Sequence, residues 1–240
     1  MKITGLTRIR NEEIIIRDTL DHIGTFADDI IVFDDASEDD TLKIIRNHAN
    51  VSIMLSNHNW SSDRPLAETE NRRQLLEFAQ KYSPDTDWFI YMDADERIEF
   101  DWQELNNLPK EITGIRMKLF DYYITKEDVD LYYTERRFIG PEYRNILMAF
   151  RNIPGLKYVK KDQRSPIVPG KIIISGYVKH YGKAVSVKQW EDTCDYYVQN
   201  FPAYAEKWKL RKGKAIHNLS DFGRPLITWE EKELKGIKLY

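Results

Sequence analysis

The sequence is poor in cysteine and lacks a long apolar run. Cys194 is the single cysteine among 240 residues, which excludes an internal disulfide and a thiolate zinc site and favours a reducing compartment. No stretch approaches the roughly 20 apolar residues that span a bilayer, and the first residues lack the apolar core of a signal peptide. We therefore expect a cytoplasmic protein without a transmembrane segment, and leave peripheral membrane attachment open.

An excess of one charge is also absent. The chain has 36 Lys and Arg against 39 Asp and Glu, for a net charge of −3. This near balance argues against a protein built chiefly to hold nucleic acid, whose signature is a basic excess, although nucleic acid is not excluded as a partner. The apolar fraction of 42% and charged fraction of 31% are ordinary for a folded globular protein.

The first hundred residues alternate between two kinds of segment. Short β-rich runs occur at Ile3–Thr7, Asp29–Phe33, Val51–Leu55 and Trp88–Met92. Between these runs, apolar periodicity predicts helices over Asn11–Ile23, Ser37–Ala49 and Pro65–Tyr82, with Ser37 as a helix cap. This alternation predicts an α/β fold, with a Rossmann-like, mostly parallel sheet flanked by helices.

The second half of the chain is less regular. Strands are expected at Gly114–Ile124 and Ile172–Val178, with an irregular stretch from Tyr132 to Gly170 and an amphipathic helix over Val187–Phe201. The predicted division is into residues 1–98, residues 99–185 of the same domain and a helical C-terminal extension, 186–240.

Polar side chains follow the predicted strands, where ligands bind to open parallel sheets. Asp93-Ala94-Asp95 comes directly after an apolar strand, and alternate residues of an extended segment point the same way. Two carboxylates so placed can face one Mg²⁺ or Mn²⁺, which commonly binds through one or two carboxylates and phosphate oxygens. The alternative is an acidic turn or helix cap. Asp34 and Asp35 end another strand and could accept hydrogen bonds from a ribose or a base, or merely favour the next helix dipole.

Three segments in order resemble the motifs of family 2 glycosyltransferases of the GT-A fold: Arg10-Asn11-Glu12-Glu13, Ile30–Ser37 and Trp88–Glu96. The resemblance implies a nucleotide-diphosphate sugar donor, with a UDP-sugar favoured, Mn²⁺ or Mg²⁺ as cofactor, and inversion at the anomeric carbon. The acceptor is expected to be a hydroxyl group of a glycan, a lipid-linked sugar or another molecule, in glycan or glycoconjugate synthesis.

The resemblance also implies roles for individual residues. Those expected to bind the nucleotide sugar are Thr7, Arg8, Glu12, Asp34, Asp35, Arg72 and Asp93. Asp93, Asp95 and His180 are the expected metal ligands, a structural role being the alternative for His180. Asp162 is the expected general base, with Glu142 in reserve, although an acid among lysines is equally typical of a solvated surface.

Two other functions compete with this interpretation. A sugar-phosphate nucleotidyltransferase is expected to carry a glycine-rich loop after the first strand, and Thr7–Glu12 contains no glycine. A catalytically degenerate module that only binds a sugar nucleotide is favoured by the poorly marked base and disfavoured by the intact pair of aspartates. Trp60, which follows the third strand, is expected to pack in the core.

Overall fold

The computed structural model describes residues 1–239 and divides into two compact units. Residues 1–117 and 147–176 form the first unit, and residues 118–146 and 177–239 form the second. These bounds differ from the segments expected from the sequence, and the functional division at residues 98 and 185 stays a prediction. Within residues 1–239, no helix combines the length and the apolarity needed to cross a membrane.

The first unit is built on a parallel sheet. Its strands are β1 (Ile3–Ile9), β2 (Asp29–Asp35), β3 (Val51–Asn57) and β4 (Trp88–Tyr91), in the spatial order β3-β2-β1-β4. Beyond β4 the sheet becomes mixed, because residues 149–151 pair antiparallel with residues 88–90. The order continues through parts of β7 (Phe138–Arg151), β6 (Ile112–Tyr122) and β8 (Lys171–His180) to β5 (Glu96–Glu99). This confirms the predicted α/β sheet.

Three helices flank the parallel strands: α1 (Ile16–Gly24), α2 (Thr41–Arg46) and α3 (Arg64–Tyr82). The predicted starts of the first two helices, at Asn11 and Ser37, were wrong. Asn11 has a positive φ of 51°, and its amide donates to the Ser37 hydroxyl at 2.9 Å. Ser37 therefore joins two strand-end loops instead of capping α2.

Both faces of β1, β2 and β4 are buried, whereas β3 at the end of the strand order is only half-buried. Leu6, Ile31 and Phe89 belong to one core cluster with Leu75 and Ala79 of α3, and α3 packs on β1 and β2. Side chains alternate between the faces of a strand. The buried neighbours of these residues therefore face the opposite side, where α1 packs on β2. A double-sided core explains why these strands are almost wholly apolar.

The prediction that the segment from Tyr132 to Gly170 is irregular was wrong, because this segment contains the 14-residue strand β7. Gly140-Pro141 is a typical turn signal, and Glu142, Arg144 and Asn145 interrupt the apolar alternation. Two short late strands, β9 (Ile227–Thr228) and β10 (Ile237–Lys238), pair with β7. A local pattern gives no sign of such distant partners.

The C-terminal part of the second unit contains the expected helix, α4 (Val187–Asn200), and two short helices, α5 (Ala205–Lys209) and α6 (Lys232–Lys235), with no α-helix over residues 210–231. The Ser186 hydroxyl caps α4 by accepting from the Gln189 amide at 3.0 Å. Trp190 and Cys194 on one face of α4 form a small core with Trp208. This apolar stripe accounts for the helix expected over Val187–Phe201.

Candidate functional site

Three charged residues extend one face of the parallel sheet at the carboxyl ends of its strands. Arg8, Asp35 and Asp93 each stand two positions after a core residue of the α3-side cluster, respectively Leu6, Phe33 and Tyr91. The period of two keeps each charged side chain on the face of its apolar predecessor. The sheet geometry therefore brings together residues that lie up to 85 positions apart in the chain.

Helix α3 contributes a second row of charges. Arg64, Glu68 and Arg72 follow one another at intervals of four residues, a spacing that puts them on one helix face. Glu68 carboxylate oxygens lie 3.4 Å from Arg8, 3.6 Å from Arg64 and 3.7 Å from Arg72. One acid thus lies among three guanidinium groups.

Asp35 is the centre of a buried ion-pair network. Its carboxylate accepts hydrogen bonds from Arg8 at 2.7 Å and from Arg64 at 2.5 Å, and the side chains of Asp35 and Arg64 are 1% and 0% exposed. Burial by itself raises the pKa of Asp35, but the charges of the two arginines outweigh it and leave the pKa below its usual value. Asp35 is therefore ionised and held by this chain's own cations.

Asp93 is held from two sides. Tyr91 donates its hydroxyl to Oδ1 at 3.0 Å, and Arg164 donates Nε–H to Oδ2 at 3.1 Å. Arg72 donates to the Tyr91 oxygen at 2.9 Å and lies 3.9 Å from Asp93. Burial raises the pKa of Asp93, but Arg164 and Arg72 outweigh that effect and lower the pKa to about 2. Asp93 is therefore ionised at neutral pH.

Arg164 was not anticipated from the sequence. Glu96 positions it by accepting from Nη2 at 2.5 Å, and the same carboxylate accepts from the Asp93 amide at 2.9 Å. Arg164 lies in a loop 71 residues after Asp93, so no local spacing marks it. By contrast, the four-residue spacing of Arg64, Glu68 and Arg72 could have predicted from the sequence that these charged residues share one face of α3.

Negative charge is concentrated beside Asp93. Burial, Asp95 and Asp93 together raise the pKa of Glu12 well above its usual value. Among residues 1–239, no group of three or more His, Cys, Asp or Glu side chains could hold a metal ion. A cation at Asp93 and Asp95 would therefore need further ligands from phosphate and water, and a carboxylate oxygen that accepts one hydrogen bond retains a lone pair for it. The metal role of the two aspartates stays a prediction.

Several buried polar atoms near the strand ends lack a hydrogen-bond partner within the described part of the chain. They are Thr7 Oγ1, Arg8 Nε, Arg64 Nε and Asn71 Nδ2. Asn71 also accepts from Asn57 at 2.9 Å, and Asn57 of β3 is paired with Asp35 of β2 in the parallel register. Buried donors and acceptors are normally paired, so these atoms indicate a place where a polar ligand could complete the hydrogen bonding.

Asp34 lies on the other face of β2 and is fully buried. Its carboxylate accepts from the Ser37 amide at 3.2 Å and from the Ser56 hydroxyl at 3.3 Å. The structure therefore separates the two neighbouring aspartates, because only Asp35 joins the arginine network. A ligand role for Asp34 stays a prediction.

Trp60 does not pack in the core, so that expectation was wrong. Its partly exposed ring lies between two guanidinium groups, with Arg10 at 3.5 Å and Arg64 at 3.4 Å from the ring centre. Arg10 also donates to the Asp35 carbonyl at 2.9 Å. The indole thus supports two arginines of the site by cation–π contact.

The remaining predicted site residues are Asp162, Glu142 and His180. Asp162 is an exposed residue of the first unit, whose side chain has no hydrogen bond or ion pair with residues 1–239. In the second unit, Glu142 is buried and accepts from Ser220 at 3.0 Å. His180 ends β8, with Nδ1 2.5 Å from Asp121. Roles in catalysis or metal binding for these three residues stay predictions.

Comparison with known proteins finds few sequence relatives. No family model matches the chain. An uncharacterized protein of Mycobacterium tuberculosis and one of Mycobacterium bovis are each 28% identical to it over 186 residues, which is 74% of this chain and 44% of each relative. The chain therefore spans less than half the length of these relatives.

Similar solved structures include glucosyl-3-phosphoglycerate synthase from Mycobacterium tuberculosis. Its complex with Mg²⁺ and uridine diphosphate has 19% identity and a TM-score of 0.34, covering 49% of this chain and 43% of that one. Its complex with Mn²⁺, uridine diphosphate and glucosyl-3-phosphoglycerate has 20% identity and a TM-score of 0.33, covering 55% and 47%.

Proposed function

We propose that this protein is a metal-dependent glycosyltransferase that moves a sugar from a nucleotide-diphosphate donor to a hydroxyl acceptor. The observation that carries the proposal is the site at the carboxyl end of β4. There an ionised Asp93 lies within reach of Arg72 and Arg164, and its charge, with that of Asp95, raises the pKa of Glu12. Such a site combines acids for a cation with guanidinium groups that suit phosphate oxygens.

The donor nucleoside is proposed to lie over the ends of β1 and β2. On the α3 side of the sheet, the polar atoms of Arg8 and Asn71 that lack partners within residues 1–239 offer hydrogen-bond donors to a ribose or a base. The ion pairs of Asp35 with Arg8 and Arg64 hold this region in place before a ligand arrives. Such preorganisation reduces the ordering cost of binding.

The proposed metal is Mn²⁺ or Mg²⁺, held by Asp93 and Asp95. When bound, it offsets the charge that develops on a departing diphosphate. The chain's own part is electrostatic and positional: Glu96 fixes Arg164, Tyr91 fixes Asp93, and Arg72 lies against Tyr91. A UDP-sugar donor and inversion at the anomeric carbon follow from the resemblance of the motifs to the GT-A family 2 enzymes.

Asp162 is the proposed general base, since inversion needs one carboxylate that accepts the proton of the attacking hydroxyl. It stands two residues before Arg164, which contacts Asp93. The neighbouring backbone is attached to α3, because Thr69 donates its hydroxyl to the Lys161 carbonyl at 3.0 Å. This attachment supports a fixed position for the Asp162 backbone next to the donor site.

A second candidate function is a degenerate module that binds a sugar nucleotide without transferring the sugar. It is favoured by the exposure of Asp162 and by the lack of a side-chain partner for it within residues 1–239. Release of nucleoside diphosphate from a UDP-sugar in the presence of Mn²⁺ favours the transferase, whereas metal-dependent binding without release favours the module.

The decisive experiment is calorimetric titration of UDP with and without Mn²⁺ on the wild type and Asp95→Ala. We expect metal-dependent UDP binding in the wild type and a loss of at least about 100-fold in the variant, since even residues behind the ligands cost 10–100-fold. Asp130→Ala, at an exposed acid of the second unit, is the matched control and should bind as wild type. Equal affinity in Asp95→Ala and Asp130→Ala would refute the metal assignment.

A further inference from the structure

The second unit contains a surface cavity of about 730 Å³, within the range of about 300–1,000 Å³ that is typical of small-molecule sites. It lies between α4 and the segment 210–221. The lining residues used below are Val187, Leu210, Lys214, His217, Leu219 and Asp221. None of them belongs to the strand-end site of the first unit.

His217 supplies one wall of the cavity, and its hydrogen bonding determines which group it can present to a ligand. Its Nδ1 lies 2.7 Å from the Ala215 carbonyl oxygen. That oxygen only accepts, so Nδ1 carries the hydrogen and the neutral ring presents a lone pair at Nε2. No residue in the described part of the chain donates to Nε2. Edge-on contacts with Trp190 and Tyr123, at ring-centre distances of 4.8 and 4.9 Å, hold the ring in place.

The charges around His217 largely compensate one another. Asp221 lies 2.8 Å from Lys183 and 2.6 Å from Arg211, and its amide donates to the Tyr123 hydroxyl at 3.1 Å. Burial lowers the pKa of His217 despite the bond to Ala215 and the charge of Asp221, so the ring is neutral at pH 7. These contacts fix the wall in place, and Nε2 of His217 is the atom that could still accept a hydrogen bond from a ligand.

Three exposed apolar side chains line the cavity together with polar residues such as Glu191, Lys214 and Asn218. Leu210, Leu219 and Val187 are 71%, 48% and 42% exposed, an unusual amount of apolar surface to gather around one opening. The turn beside them is fixed, because the Glu191 carboxylate accepts from the Gly213 amide at 3.0 Å and Gly213 has a φ of +75°. A lining with both exposed apolar side chains and a hydrogen-bond acceptor suits a ligand that has both C–H and O–H surfaces.

We propose that this cavity binds a sugar residue through a hydroxyl group that donates its hydrogen bond to Nε2 of His217. A carboxylate group in its ionised form has no hydrogen to donate. An ammonium group would meet Lys214, a cation of the lining, and like charges repel. A neutral hydroxyl group meets neither obstacle, and the C–H face of a sugar ring suits the apolar part of the lining. The proposal goes beyond the transferase function and holds whether or not the chain transfers a sugar.

A pair of substitutions separates ligand binding from structural support. His217→Asn keeps a donor near the Nδ1 position for the Ala215 carbonyl but lacks an acceptor at the Nε2 position. His217→Gln has an amide oxygen that can accept near the Nε2 position. If His217 binds a hydroxyl group, the His217→Asn variant should bind the sugar about fivefold or more weakly than the wild type. The His217→Gln variant should bind the sugar more tightly than His217→Asn. A purely structural role predicts the reverse order.

Calorimetric titration of the wild type and both variants with the methyl glycosides of glucose, galactose, mannose and N-acetylglucosamine measures the affinities. The imidazole ¹⁵N spectrum of the wild-type chain in the same titrations reports whether Nε2 is the atom contacted. We expect the Nδ1–H form of His217 in the free protein and a shift of Nε2 with at least one glycoside. Acetate, an anion without a hydrogen-bond donor at pH 7, is the control and should leave Nε2 unchanged. The proposal is overturned by an Nε2–H form, by the absence of a response to all four glycosides, or by a response to acetate alone.

Discussion

The buried Asp35 network allows a quantitative prediction about stability. Asp35→Asn keeps the shape of the side chain but removes the charge that compensates Arg8 and Arg64, whose side chains are 11% and 0% exposed. Removing one partner of a buried pair costs about 3–5 kcal/mol. Glu68 remains 3.4 and 3.6 Å from the two guanidinium groups, so we expect the lower end, about 3 kcal/mol.

The pH dependence of this loss follows from the direction of the pKa shift. The pKa of Asp35 in the folded protein is depressed, so its contribution to stability is present above the unfolded pKa of about 3.9. That contribution is lost as the pH falls through the folded value. The difference between the wild type and Asp35→Asn should therefore be largest above about pH 5 and should shrink under more acidic conditions.

Urea unfolding at several pH values measures both effects, with an unchanged slope showing that the extent of unfolding is comparable. Asp192→Asn is the matched control, because Asp192 pairs with Lys188 at 2.6 Å but their side chains are 53% and 82% exposed. Exposed pairs contribute about 0–1 kcal/mol. If Asp35→Asn at pH 7 costs no more than this control, or if its cost is independent of pH, the electrostatic account of the network is wrong.

Two further predictions concern other parts of the chain. Trp60→Leu should destabilise the protein by about 1–3 kcal/mol in urea unfolding, because cation–π contacts with Arg10 and Arg64 are lost; a change below about 0.5 kcal/mol, typical of a surface substitution, would contradict this. Cys194 is fully buried, and burial raises its pKa to about 11. A disulfide reagent at pH 8 should therefore react with it only after denaturation, whereas rapid stoichiometric reaction of the native protein would contradict the buried position.

The parallel half of the fold could be predicted because its signals are local. Each strand from β1 to β4 is a short apolar run, and α3 has a long periodic pattern with Pro65 in its first turn. Asp93 and Asp95 could be singled out because they directly follow such a run. By contrast, β7 escaped prediction because its pairing with β9 and β10 comes from residues about 90 positions later.

The sequence by itself determined which residue types end the strands and on which face of each strand they stand, because a period of two follows from backbone geometry alone. Only the tertiary structure decided which partner each charged group has. Arg64 and Arg164 reach Asp35 and Asp93 from a helix and a loop, and Asp34 is turned away from its neighbour. These choices depend on contacts between distant segments, and no local spacing records such contacts.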